Sequence, residues 1–145
     1  MTPDQPKRAM LFGGGALISL AIAATAHGAT GAHATAASLI RTCESAIATV
    51  HVGPTSVGSP ATVRARAAQR KCIATARMNN LMLTHRSDKA LFDAYEAYAD
   101  LSDGINEFVV YGGSVPSLHT RIVLQRAEHE IARGRRQAKR ALAEL

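Results

Sequence analysis

From Thr35 onward, apolar side chains return every three or four positions. Ala36, Leu39, Ile40, Cys43, Ala46, Ile47 and Val50 fall on one side of an α-helix, with Cys43 in the middle of the stripe. "HVGPTSVGSP" interrupts the pattern with Gly53-Pro54 and Gly58-Ser59-Pro60, and a second helix is predicted from Pro60 to about Thr84. Its apolar face is mostly alanine: Ala61, Ala65, Ala68, Cys72, Ala76 and Leu83. A third helix, capped by Ser87, places Leu91, Ala94, Tyr95, Tyr98, Leu101, Ile105, Phe108 and Val109 on one face. Gly104 is a candidate kink, and Gly112-Gly113 ends the helix. The fourth helix, from Ser114 or Ser117, repeats every seven residues through Leu124, Ile131, Ala138 and Leu145, with small residues Ala127, Gly134 and Ala141 between. No segment alternates with the period of a strand. The expected fold is all-α: an antiparallel up-down bundle of four helices forming a single domain over residues 35–145.

Residues 1–26 follow a different pattern. Lys7 and Arg8 precede the apolar run "AMLFGGGALISLAIAATA", which closes on Ala24-Thr25-Ala26. This is the organisation of a signal peptide, with cleavage expected after Ala26; an uncleaved anchor over residues 9–26 is the alternative. Residues 27–34, "HGATGAHA", are expected to form a loose lead-in. The protein is therefore expected in the periplasm or outside the cell. Cleavage would remove Asp4, Lys7 and Arg8, lowering the formal net charge of +6 by one and leaving the chain basic.

Export changes the meaning of the two cysteines. Cys43 and Cys72 are the only pair in the chain and lie on the buried stripes of consecutive helices, so a disulfide joining helices one and two is expected. In an antiparallel pair the two residues sit about 12 and 18 Å from the connecting loop, at similar heights.

Motifs for catalysis or cofactor binding are missing: no G-x-G-x-x-G, G-x-S-x-G, H-E-x-x-H or C-x-x-C-H occurs. Neither an enzyme nor a resident cofactor is expected. Helix one offers no methionine to a Met/His haem site. The weak metal candidate is Met78, Met82 and His85, whose spacing puts two thioethers and an imidazole, a soft ligand set suited to Cu(I), on one helical face. The alternative is that both methionines fill core gaps. "YGGSVPS" before helix four is a candidate anion-binding helix start, and equally an ordinary turn.

Charge is segregated by helix. Between Pro60 and Arg86 there are six Lys/Arg and no acid, whereas from Asp88 to Glu107 six acids face only Lys89. Asp93, Glu96, Asp100, Asp103 and Glu107 fall in an arc of about 80°, opposite Tyr98 and Ile105. Arg126, His129, Arg133, Arg136 and Arg140 form a similar arc on helix four, opposite Ala127, Ile131 and Ala138. Both stripes are thus expected to point outward and not to pair within one chain. The leading functional expectation is a non-enzymatic exported protein that contacts a protein partner, or itself, through these stripes. The alternative is an anionic membrane surface or other envelope ligand bound by helices two and four. Export argues against nucleic acid, and none is expected as a partner.

Overall fold

The computed structural model describes the backbone of residues 15–53 and 59–145, and side chains over 28–53 and 61–145. Of the signal-peptide and anchor expectations, residues 1–14 lie outside the described residues, and residues 15–26 are described by their backbone alone, which is helical. Among the described residues the chain is all-helical, with five helices: α1 (Gly15–Ile47), α2 (Ser59–Gln69), α3 (Thr75–Thr84), α4 (Lys89–Tyr111) and α5 (Leu118–Glu144). The Cys43–Cys72 disulfide is present, with the Cα atoms 4.8 Å apart.

Two expectations change. Residues 27–34 are not a loose lead-in: their backbone is helical and continuous with the rest of α1. The second predicted helix is two helices, so the described chain has five where four were expected. The break over Arg70–Ala74 contains no glycine or proline, and α4 holds it open. There the Ala74 N–H donates to the Tyr98 hydroxyl (3.0 Å) and the Ser102 hydroxyl donates to the Cys72 carbonyl (2.8 Å). Backbone groups freed from one helix thus find partners on another, as burial demands. The break also resets the helical phase. Ala65, Ala68 and Cys72 are buried as expected, but Ala76 and Leu83 are exposed and Met78 takes the core position.

The central helix is α4, which packs against all four others. It buries Leu91, Tyr98, Leu101, Ile105 and Phe108, meeting Ile40, Cys43 and Ile47 of α1 and Leu124 and Ile131 of α5 in one core. Asp88, rather than Ser87, caps it: its Oδ1 accepts the Leu91 N–H (3.3 Å) while Oδ2 meets His33 Nε2 of α1 at 2.6 Å. The cap and the α1–α4 tie share one carboxylate.

The most extensive packing between helices is that of α4 against α5. A methyl group on Gly104 would stand 2.7 Å from Ile131 Cγ1 and 2.9 Å from the Ala127 carbonyl oxygen. One on Gly134 would stand 3.0 Å from Leu101 Cγ and from the Leu101 backbone nitrogen. Gly104 is therefore a packing residue for α5, and small side chains at Ala97, Ala127, Ala138 and Ala141 continue the seam.

Candidate interaction surface

The charged stripes expected to point away from each other meet along this seam. Arg133 donates from Nε and Nη2 to the two carboxylate oxygens of Asp100, at 2.7 and 2.6 Å. Arg126 makes the same two-pronged contact with Glu107, its Nε donating at 3.1 Å. Arg140 lines the next step of the cleft with Asp93 and Glu96, where Lys89 takes Asp93 as its ion-pair partner. The expectation that both stripes stay unpaired within the chain is thus corrected for Asp100, Glu107, Arg126 and Arg133.

The reason is the width of the buried arc on α4. A helix with neighbours on several sides has no single outward direction, and the face opposite Tyr98 and Ile105 borders α5. Asp93 and Asp100 precede Ala97 and Gly104 by one turn, about 40° around the helix from residues at the α5 contact. Close backbone approach then brings the rims within reach of long arginines. A sequence signal existed: Arg126, Arg133 and Arg140 repeat every seven residues, as do Asp93, Asp100 and Glu107. In antiparallel helices such series form successive rungs.

Beneath the rungs, Glu130 Oε2 and Gln137 Oε1 are buried without a hydrogen-bond partner among the described residues. Burial pushes the Glu130 carboxyl above the ordinary glutamate range, reinforced by Glu107 and opposed by Arg126. Burial also raises Asp103, aided by Asp100 and Glu107. Asp88 behaves oppositely. Burial alone would raise it, but hydrogen bonds from His33 and the Leu91 amide outweigh that effect and its carboxyl is held low.

Opposite pH dependences follow. A carboxyl held low stabilises the fold above its unfolded pKa, and that contribution disappears as pH falls through the folded value. A raised carboxyl opposes folding when ionised, and the penalty disappears as pH falls below its unfolded value. D88N is therefore expected to be less stable than the parent at neutral pH, and E130Q more stable, with both differences shrinking as denaturation midpoints are followed down to about pH 3. An unchanged E130Q difference across that range would show that repacking, not ionisation, sets it.

The remaining sequence candidates do not assemble a site. Met78 lies in the core, Met82 and His85 are half-buried, and His85 Nδ1 is hydrogen-bonded to the Leu81 carbonyl (3.0 Å). Glu96 is exposed and His129 Nδ1 contacts the Gln125 carbonyl (2.8 Å). At the start of α5, Ser117 is the cap: its Oγ accepts the Thr120 N–H (3.0 Å), so that amide is occupied. A surface groove of about 710 Å³ lies beside the end of α1, lined by Glu44, Ser45, His51 and Arg135 among others. Burial raises Glu44 there, with Arg135 opposing it.

Arg64, Arg66, Arg70, Arg77, Arg136 and Lys139 are exposed and make no ion pair among the described residues. Those on α2 and α3 lie on a different flank from α5, which neither helix contacts. No helix among the described residues is long and apolar enough to cross a membrane. Comparison with protein-family models, curated proteins and solved structures finds no match.

Proposed function

We propose that this chain is an exported, non-catalytic helical protein that acts by contact, using its exposed basic surface to hold an anionic partner. The carrying observation is the asymmetry of pairing. Asp93, Asp100 and Glu107 are engaged by Lys89, Arg133 and Arg126, whereas the six cations named above have no such partner. Exposed Glu96, Asp103, Glu128 and Glu144 also make no ion pair among the described residues, but exposed unpaired cations outnumber them, so the charge left to recruit a partner is net positive. Self-association through complementary stripes is the weaker reading, because three acids of one stripe would have to exchange partners. Export rests on the basic start, apolar run and Ala24-Thr25-Ala26 ending, and the disulfide between two buried cysteines is in keeping with an oxidising compartment.

The test is retention of the purified, oxidised protein on an immobilised sulfated polyanion. Elution is expected to require added salt, since exposed charges are screened over about 8 Å at physiological ionic strength. A variant with Arg64, Arg66 and Arg70 changed to glutamine, and one with Arg136, Lys139 and Arg140 so changed, should each elute earlier while keeping their helical signal. Flow-through of the parent at low salt would remove the proposal's basis.

A further inference from the structure

We infer that the outer face of α2 and α3 is a contact surface for an anionic phospholipid bilayer. This rests on the preceding reading that the partner is anionic, and adds the face and the kind of partner. On α2 the side turned away from buried Ala65 and Ala68 carries Val63 at its centre, 66% exposed, flanked by Arg66 on one side and Arg64 on the other, and exposed Arg70 and Lys71 follow directly in the break. Ile73, in the turn that follows, is 74% exposed, Leu83 on α3 is 46% exposed, and Arg77 and Arg86 are exposed as well. From Pro60 to Arg86 there is no acidic residue.

A soluble polyanion would pair with the arginines but gain little from Val63 and Ile73. A bilayer with anionic headgroups satisfies both features at once. The cations sit at the phosphate level and the aliphatic side chains enter the acyl boundary, the arrangement by which surface helices lie in a membrane interface. The break between α2 and α3 contributes directly, because it puts Ile73 in an exposed turn. Both helices are backed by α1 and α4, and the Cys43–Cys72 disulfide ties the turn between them to α1.

The chain contains no tryptophan, so I73W supplies a single fluorescent reporter. With vesicles of phosphatidylcholine containing phosphatidylglycerol, its emission should shift to the blue and be quenched by brominated acyl chains. Pure phosphatidylcholine vesicles and a soluble sulfated polyanion should leave it unshifted. Co-sedimentation of the otherwise unaltered chain should weaken roughly tenfold or more when Val63 and Ile73 are both changed to serine, and also when Arg64, Arg66 and Arg70 become glutamine. The Arg136, Lys139 and Arg140 variant should bind vesicles nearly as the parent does. Every altered residue is exposed, and an unchanged melting temperature confirms that each variant is folded. Retention on the polyanion without vesicle binding would overturn the bilayer inference and leave the anionic reading standing; loss of both would end both. Vesicle binding without a blue shift, or binding that depends on α5 instead, would also overturn it.

Discussion

Replacing both Cys43 and Cys72 with alanine is expected to lower stability by about 3–4 kcal/mol, the loop-entropy value for a bridge spanning 29 residues. For a domain near a hundred residues this corresponds to a fall in melting temperature of roughly 10–20 °C. The bridge matters here because of what it closes. It joins α1 to the turn between α2 and α3, whose alanine-rich inner face buries little area against the core. Hydrophobic burial scales with apolar surface, at roughly 25 cal/mol per Å², so Ala65 and Ala68 hold α2 weakly. Both sulfurs lie in the core, and their removal adds lost packing to the lost constraint. Reducing the parent should reproduce most of the loss without mutation. A melting temperature that moves by only a degree or two in both experiments would mean that α2 and α3 are held by their contacts with α4 alone.

The second large effect is expected at the α4–α5 seam. G104A adds a carbon that meets the Ala127 carbonyl oxygen at 2.9 Å, a backbone atom that cannot rotate away. Overpacking of this kind costs about 1–3 kcal/mol, against which alanine gains about 1 kcal/mol in helix propensity. A net loss is expected, and G104V should lose considerably more. Gly31 is the internal control: it is in α1 with open space around it, so G31A receives the propensity gain without the clash and should stabilise. Thermal melts of the variants decide the matter through opposite signs. G104A equal to or more stable than the parent would mean that the two helices separate at little cost. In G104V the displacement should also weaken the Arg133–Asp100 and Arg126–Glu107 contacts.

The charged seam shows where helical periodicity misleads. Angular position relative to Tyr98 and Ile105 placed the acids correctly around α4, but the direction assigned to that arc assumed a helix with a core on one side. In the folded chain α4 has neighbours on several sides, and a stripe opposite one of them borders another. The same limit explains the broken second helix. "RKCIA" at 70–74 has no residue that stops a helix, and the stop comes from Tyr98 and Ser102, which lie on another element. Of the candidate interaction residues, Asp100, Glu107, Arg126 and Arg133 became internal partners. The unpaired cations of α2 and α3 emerged as the surface to test.

Helical content, the buried faces of α1, α4 and α5, and the Cys43–Cys72 pair were legible in the sequence because each depends on local repeat and side-chain type. Apolar spacing sets which residues leave water whatever partner they meet. What only the tertiary structure decided were the relations between elements: the turn at Arg70–Ala74, the shift of burial from Leu83 to Met78, the cap at Asp88 shared with His33, and the pairing of the acidic and basic stripes. These depend on distances between helices. For the paired stripes the distance is set by how closely the α4 and α5 backbones approach, which the absence of a side chain at Gly104 and Gly134 allows; the turn, the Met78 burial and the shared cap depend on how α1, α3 and α4 meet.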